Sequence, residues 1–136
     1  MPRFRVLFAG EAEGPLLRLS EPLSFWGGYD PHSGEIVDRR HPDRGARAAG
    51  AVLVMPAARG SSSSSSVLAE AARCGKAPAA ILLGASDLIL PVGAVVADEL
   101  YGVRIPVLVG EVDGLGWENG TPVKVGRDGT VTQARP

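Results

Sequence analysis

The sequence has 136 residues and a formal net charge of −1, from 14 basic and 15 acidic side chains. This length suits one domain with a hydrophobic core, and the balanced charge provides no basic field for nucleic acid or an anionic membrane surface. A single cysteine excludes an internal disulfide and, with only two histidines, argues against a metal site built by this chain alone. We therefore expect one domain over residues 1–136, with no metal, cofactor or nucleic acid bound by the chain itself.

The start of the sequence lacks the apolar core of a signal peptide, and no apolar run approaches the roughly 20 residues of a membrane span. These features predict a cytoplasmic protein that does not contact membranes. The sequence is rich in turn-forming residues, with 18 glycines and 11 prolines, and poor in aromatic residues. This composition favours a β-rich α/β fold with many tight turns.

Two strands are predicted near the N-terminus. Apolar residues alternate with others along 4–8, which is typical of a strand with one buried face. The glycine- and proline-containing segment 10–15 is expected to break the sheet. Residues 16–19 then form a second short strand with Arg18 facing solvent.

Aromatic residues and glycines concentrate around Phe25 and Trp26. Two interpretations of this region stay open. In one, Phe25 and Trp26 fill the edge of the core while Asp30 and His32 make turn hydrogen bonds. In the other, the segment is a surface that meets another domain. His41, in the charged turn that follows, is expected to form local hydrogen bonds and not to act as a general base.

Strand and helix signals alternate in the middle of the chain. Short apolar runs predict three buried strands, at 51–55, 79–83 and 105–109. With helices between them, they predict a right-handed β-α-β-α-β core. Asp87 is expected to cap the second helix, in which Pro91 and Gly93 predict a short break or a late start. The tail, 116–132, is predicted to form a β-hairpin that pairs with the N-terminal strands as a second sheet.

Six consecutive serines, Ser61 to Ser66, follow Gly60 and precede apolar residues at helical spacing. Composition alone would suggest a flexible linker. The flanking buried strand and Ala-rich helix instead favour a helix N-terminus, where hydroxyls cap the helix and the positive end of its dipole attracts anions. We interpret the serines as an active or binding loop. At the other end of this helix, Cys74 is expected to be a buried core thiol and not a cluster ligand.

No complete catalytic motif is present in the sequence. The loop after Gly60 lacks the Lys-Ser/Thr ending of a P-loop, and no Gly-x-Ser-x-Gly elbow occurs. The remaining candidate is the hydroxyl of Ser61, beside Arg59 at a helix N-terminus. If a neighbouring cationic field stabilises its alkoxide, Ser61 can act as a general base. Without a partner surface it only caps the helix.

Three segments in this order, LSFWGGYDPHSGEIVD at 23–38, RGSSSSSS at 59–66 and GKAPAA at 75–80, resemble the swivel domain of the aconitase X family. The resemblance extends from about Phe4 to Val109. It implies a swivelling β/β/α fold in which the central strand-helix-strand unit carries an additional small β layer. It also implies a hydro-lyase, inactive without a large aconitase X-type subunit that holds an iron–sulfur cluster and most of the substrate site.

By the same resemblance Ser61 is the proton acceptor, and Arg59, Gly60, Ser62 and Ser63 are expected to contact the substrate. True aconitases carry Gly-Ser-Ser-Arg at this loop, whereas this chain has Ser63 at the arginine position. This difference predicts a substrate other than a tricarboxylate.

Within the family two activities compete for this chain, both on small hydroxy acids. Bacterial members that resemble cis-3-hydroxy-L-proline dehydratase tend to have a serine-rich loop, and archaeal small subunits that act on mevalonate 5-phosphate tend to have a Gly-Ser-Thr-Val-Gly-Ser type of loop. The serines favour the hydroxyproline activity. The resemblance implies a heterodimer, or a higher assembly, with the large subunit. A hypothesis of a different class is a non-catalytic interaction module that binds a partner through the loop from Phe25 to Tyr29.

Overall fold

The structure is a computed structural model that describes residues 3–134. The strands are β1 (Arg5–Phe8), β2 (Ala12–Arg18), β3 (Val52–Met55), β4 (Ala80–Leu83), β5 (Val107–Val109), β6 (Pro122–Val125) and β7 (Val131–Gln133). The helices are α1 (Phe25–Gly28), which is a single distorted turn, α2 (Ser64–Arg73) and α3 (Ile89–Tyr101), with a 3-10 turn at Val112–Gly114. Among the described residues, no helix has the length and apolar character needed to cross a membrane.

The strands form one 7-stranded sheet with the order β1-β5-β4-β3-β2-β6-β7. Strands β2 to β5 are parallel to their neighbours, and β1, β6 and β7 add antiparallel edges. Near the two edges, the Phe4 N–H donates to the Gly129 carbonyl over 2.8 Å, and Arg3 pairs with Thr130. The sheet therefore curls until its edges approach each other. This confirms the β-α-β-α-β core and the C-terminal hairpin, although the hairpin extends the same sheet through β2 instead of forming a second one.

Each face of the sheet has its own core. Every residue of β3 and β4 is buried, as expected for central parallel strands covered on both sides. Leu53 and Met55 belong to the core beneath α2 and α3. Val52 and Val54 point to the other face, where the curled sheet packs against itself through Val123 and its neighbours. These layers match the swivelling β/β/α fold that the resemblance implied.

The predicted break at 10–15 and the solvent-facing Arg18 are both wrong. Strand β2 runs from Ala12 to Arg18, and Gly14 permits this because an added Cβ there would overlap the carbonyl of Gly50. The Arg18 guanidinium donates to the carbonyl oxygens of Val112 at 2.9 Å and Leu115 at 2.6 Å. The later chain returns beside β2, so this arginine is used to hold the 3-10 turn in place.

Helix α3 begins as predicted but has no break. The Leu90 N–H donates to Asp87 Oδ2 over 2.7 Å, which confirms the predicted cap. Pro91 lies in the first turn, where its missing N–H has no helical partner to lose. Gly93 lets α3 approach α2, since an added Cβ would lie 2.8 Å from the Ser65 carbonyl oxygen. The two residues therefore serve the helix start and the helix packing.

The aromatic segment divides its side chains between core and surface. Phe25 is buried and stacks on Tyr29, with ring centroids 4.6 Å apart. Trp26 is 60% exposed, so its predicted place at the core edge is wrong. The Asp30 carboxylate accepts hydrogen bonds from the His32 N–H at 2.9 Å and the Ser33 hydroxyl at 2.9 Å, as predicted for a turn. The same two bonds hold the pKa of Asp30 below its usual value.

His41 is buried and hydrogen-bonded locally, as predicted. Its Nδ1 accepts the Asp43 N–H over 3.0 Å, and its Nε2 lies 3.1 Å from the Glu21 carbonyl oxygen. These contacts assign a neutral imidazole with its proton on Nε2. Both ring nitrogens are occupied, so His41 has no free atom for acid–base chemistry.

Candidate functional site

The serine loop lies at the carboxyl end of β3, where open α/β sheets usually bind ligands. Two contacts fix it against the segment before α1. Ala58 forms a parallel bridge with Leu23, and the Arg59 N–H donates to the Leu23 carbonyl over 3.3 Å. The residues preceding the serines are therefore held against the folded domain and are not part of a flexible linker.

Gly60 makes the turn into the serines possible. Its φ is +106°, a region that side chains with a Cβ rarely adopt. An added Cβ would also overlap the Ser24 hydroxyl. Ser24 in turn donates its hydroxyl proton to the Trp26 carbonyl over 3.0 Å. The loop thus turns directly over the Leu23 to Trp26 segment, and only glycine fits at the contact.

The serine hydroxyls have different roles. Ser61 Oγ accepts the Ser63 N–H over 3.0 Å, and so caps the first turn that leads into α2. Ser64 is buried, and its Oγ accepts the Trp26 N–H over 3.1 Å. Ser65 donates to the Ser62 carbonyl over 2.8 Å. The run therefore contains an exposed cap, a buried anchor and a local surface contact.

Three consecutive backbone donors at the loop are unused. Within residues 3–134, the N–H groups of Gly60, Ser61 and Ser62 have no hydrogen-bond partner. All three residues are exposed. Free N–H groups that precede a helix, together with the positive end of its dipole, favour negative charge. The loop can therefore stabilise a carboxylate or an oxyanion.

A small open pocket connects this loop to the start of α3. Its volume is about 80 Å³. The lining residues are Leu23, Phe25, Ala58, Arg59, Gly60, Ser61, Ser64, Asp87, Ile89 and Leu90. Pockets that enclose a small molecule usually have volumes of about 300 Å³ or more. This one can hold only part of a ligand.

The pocket brings together three of the predicted site residues, Arg59, Gly60 and Ser61. Ser62 and Ser63 follow on the same loop but do not line the pocket, so their contact with substrate stays a prediction. Two residues of the pocket were not predicted from the sequence: Ser64, whose place in the serine run gave no sign of burial, and Asp87, which was predicted only as a cap. Arg59 and Asp87 place opposite charges in one pocket.

Apolar side chains stand exposed beside the pocket. Trp26 is 60% exposed and Leu88 is 82% exposed, and their neighbours Phe25, Asp87 and Ile89 line the pocket. Large apolar side chains with this exposure next to a pocket are candidates for contact with a further protein. We call Trp26 and Leu88 the apolar rim.

Cys74 is not the core thiol that the sequence predicted. It is only partly buried, and its Sγ lies 3.8 Å from Glu70 Oε2. Ala71 and Ala72 occupy the buried face of α2, which leaves Cys74 at the margin of that face. The cysteine therefore lies in a polar surface cluster at the far end of α2 from Ser61.

The chain was compared with known protein families, proteins and solved structures, and the matches agree with one another. Residues 2–133 match the Aconitase X swivel domain family. A cis-3-hydroxy-L-proline dehydratase of Pseudomonas aeruginosa is 52% identical over 103 residues, which are 76% of this chain but 18% of that protein. The phosphomevalonate dehydratase small subunit of Thermococcus kodakarensis is 36% identical over 124 residues, 91% of this chain and 88% of that subunit. A crystal structure of holo-form Thermococcus kodakaraensis aconitase X has a TM-score of 0.86 and 34% identity, over 98% of this chain and 97% of that one.

Proposed function

Since the chain belongs to the aconitase X swivel domain family, we propose that it is the small subunit of a hydro-lyase that eliminates water from a small hydroxy acid. In this proposal residues 1–136 form a single swivel domain, and Ser61 accepts the proton that leaves the substrate carbon. The observation that carries the proposal is the position of Ser61, exposed beside unused N–H donors on the wall of a charged pocket.

Serine is a weak base at neutral pH unless its surroundings stabilise the alkoxide. Ser61 Oγ receives the Ser63 N–H, and it lies at the positive end of α2 with Arg59 beside it. These donors and charges favour the anionic oxygen. The alkoxide then takes the proton from the substrate carbon and becomes a neutral hydroxyl, while hydroxide leaves from the adjacent carbon with the electron pair of its C–O bond.

The chain needs a partner to complete the site. Its pocket of about 80 Å³ encloses only part of a substrate. Iron–sulfur clusters are held by several cysteine thiolates, whereas this sequence has a single cysteine, at the opposite end of α2 from Ser61. These residues do not fit such a cluster, and we propose that a large aconitase X-type subunit holds it.

The apolar rim is the proposed contact with that large subunit. Leu88 and Trp26 belong to two different segments whose neighbouring residues line the pocket, so a protein that covers both would also cover the pocket. Closure would exclude water from the reacting groups and strengthen their electrostatic interactions. Binding of the large subunit at the apolar rim would therefore also close the pocket in which the reaction is proposed to occur.

We propose cis-3-hydroxy-L-proline as the substrate. The relative with that name shares 52% identity over 103 residues. The pocket also suits an amino acid, because Arg59 can pair with its carboxylate and Asp87 with its ammonium group. Mevalonate 5-phosphate is the second candidate, favoured by the phosphomevalonate dehydratase small subunit that aligns over 88% of its length. It has no ammonium group, and its phosphate would be repelled by the Asp87 carboxylate.

Reconstitution tests the proposal. The chain is mixed with an aconitase X-type large subunit, and dehydration of each candidate substrate is measured for the mixture and for the separate subunits. We expect turnover of cis-3-hydroxy-L-proline by the mixture alone. A stable complex that dehydrates neither compound would support the non-catalytic interaction module instead.

Asp87→Asn sharpens the choice of substrate. Asparagine retains the cap on α3, so the fold is preserved while the charge is removed. We expect KM for cis-3-hydroxy-L-proline to rise about tenfold. The control is Asp113→Asn, since Asp113 is exposed and does not line this pocket. An unchanged KM in Asp87→Asn would exclude the proposed pairing with the ammonium group.

A further inference from the structure

Three different metal-ligating side chains meet at the C-terminal end of α2. They are the imidazole of His32, the carboxylate of Glu70 and the thiol of Cys74, whose ligand atoms all lie within 4.8 Å of one another. Glu70 Oε2 is 3.1 Å from His32 Nε2 and 3.8 Å from Cys74 Sγ. The cluster is separate from the serine loop and takes no part in the proposed proton transfer.

Local structure positions each of these groups. Glu70 and Cys74 are four residues apart at the end of a helix, so their side chains lie on the same face. His32 comes from a distant segment, and its backbone is fixed by the turn in which Asp30 accepts the His32 N–H. The two segments reach each other because Tyr29 donates its hydroxyl proton to the Lys76 carbonyl over 2.7 Å.

We propose that His32, Glu70 and Cys74 form a binding site for a borderline divalent cation such as Zn²⁺. Zinc binds imidazole nitrogen, carboxylate oxygen and thiolate sulfur at about 2.0 to 2.3 Å, so the ligands of a tetrahedral site are about 3.3 to 3.6 Å apart. The two distances from Glu70 Oε2, 3.1 and 3.8 Å, lie close to this range. The third pair, His32 and Cys74, lies within 4.8 Å, and rotation of the exposed His32 side chain can shorten this distance.

Arg73 both orients and opposes this site. Its Nε donates to Glu70 Oε1 at 2.7 Å, and one terminal nitrogen donates to Glu70 Oε2 at 2.8 Å and lies 3.6 Å from Cys74 Sγ. The bonds from Arg73 and then His32 lower the pKa of Glu70 to about 2, so the ligand is ionised at neutral pH. The guanidinium repels a cation, whereas the negative end of α2 attracts one. A bound metal would leave the bond from Arg73 Nε to Glu70 Oε1 in place. The metal and the terminal nitrogen of Arg73 would share Glu70 Oε2.

Three protein ligands leave one coordination position open. The His32 side chain is 68% exposed, so this position faces solvent and accepts a water molecule or a partner's side chain. The thiol would bind the metal as a thiolate, with its proton released to solvent. The bound ion would join the turn at residues 30–33 to the end of α2.

Cobalt provides a direct test because a cobalt–thiolate bond gives a charge-transfer absorption band. Cys74 is the single cysteine of the chain, so such a band can come only from Cys74. The reduced chain, without a large subunit, is titrated with Co²⁺ and then with Zn²⁺. We expect the band to appear with Co²⁺ and to be lost on displacement by Zn²⁺. A saturating Co²⁺ concentration that produces no thiolate band would overturn the proposal.

Substitutions of the ligands distinguish metal binding at this site from weak metal binding elsewhere on the surface. His32→Ala is expected to lower the Zn²⁺ affinity about tenfold or more, and Cys74→Ser to remove the cobalt band. Glu99→Gln serves as the control, because Glu99 is an exposed carboxylate on another helix and should have no effect. Equal Zn²⁺ affinities for the wild-type chain and His32→Ala would contradict the three-ligand site. Neither outcome depends on the dehydratase activity, since no substrate is used.

Discussion

The two ends of α2 differ in what they can bind. At the N-terminal end, the N–H groups of Gly60, Ser61 and Ser62 have no partner among the described residues, and Arg59 adds a positive charge. At the C-terminal end, Glu70 and Cys74 present an anion and a thiol. The difference follows the helix dipole, which favours anions at one end and cations at the other. One helix of 10 residues, about 15 Å long, thus separates the proposed site for substrate anions from the proposed site for a metal cation.

The N-terminal end depends on one backbone conformation, and Gly60→Ala should remove it. The substitution strains a φ of +106° and overlaps Ser24. We expect the free energy of unfolding to fall by about 3 kcal/mol and the reconstituted activity to be lost. Urea denaturation of the chain measures the first effect.

Gly114→Ala is the matched control for that experiment. Gly114 has no positive φ, and an added Cβ would meet no atom within 4 Å. The free energy of unfolding of Gly114→Ala should differ from that of the wild-type chain by less than about 0.5 kcal/mol. Equal losses of unfolding free energy in Gly60→Ala and Gly114→Ala would show that the turn at Gly60 does not require glycine.

The apolar rim lies beside the N-terminal end only, and Leu88→Asp tests whether it binds the large subunit. Leu88 is 82% exposed, so a charge there should leave the melting temperature of the isolated chain unchanged. Binding to the large subunit should weaken by about tenfold or more, because the charge would be desolvated in the interface.

Leu100→Asp is the control, since Leu100 is 65% exposed at the other end of α3. The Leu100→Asp chain should bind the large subunit with the same affinity as the wild-type chain, as measured by calorimetry. A rim variant that binds as tightly as this control would place the interface elsewhere.

These effects also show what could be predicted from the sequence. The strands at the centre of the sheet were predictable because continuous apolar runs reflect burial on both faces, and the serine loop because a turn and a helix start are local features. Arg18, Trp26 and Gly93 were misassigned because their environments are set by distant segments. Arg18, for example, bonds to a carbonyl 94 positions away.

The candidate site divides in the same way. Arg59, Gly60 and Ser61 are neighbours in the sequence, and their association follows from one turn. Asp87 joins them only through the packing of α3 beside the loop. His32 and Glu70 are 38 positions apart, and no local pattern relates them. Contacts across the fold therefore add the charge that we propose selects the substrate, and the ligands of the proposed metal site.

The C-terminal end of α2 depends on the tie between Tyr29 and Lys76, and Tyr29→Phe tests it. The hydroxyl bond of 2.7 Å would be lost, which leaves a partly buried carbonyl without its donor. We expect a loss of about 1 to 2 kcal/mol in chemical denaturation. Burial also raises the pKa of Tyr29, so the wild-type phenol should ionise at a higher pH than an exposed tyrosine does. Tyr101→Phe, on a 41% exposed ring, should change stability by less than about 0.5 kcal/mol.

The smallest expected effect is on acid stability through Glu70. Its pKa is lowered from 4.5 to about 2, so it contributes stability above pH 4.5 that is lost as pH falls toward 2. Glu70→Gln removes this contribution. Without added metal, the melting temperature of the variant should therefore fall less than that of the wild type between pH 6 and about pH 2. A wild-type fall identical to that of Glu70→Gln would show that the pairs with Arg73 and His32 do not stabilise the fold.

The central claim is that the N-terminal end of α2 supplies the base, and Ser61→Ala measures it most directly. In the reconstituted enzyme we expect kcat to fall by about two to four orders of magnitude, with the complex still formed. Ser65→Ala, which removes only a hydroxyl bonded to the Ser62 carbonyl, should retain most of the turnover. If Ser61 is only a cap, the variant would instead lose about 1 kcal/mol of stability and keep its kcat. A stable Ser61→Ala complex with nearly wild-type turnover would contradict the account.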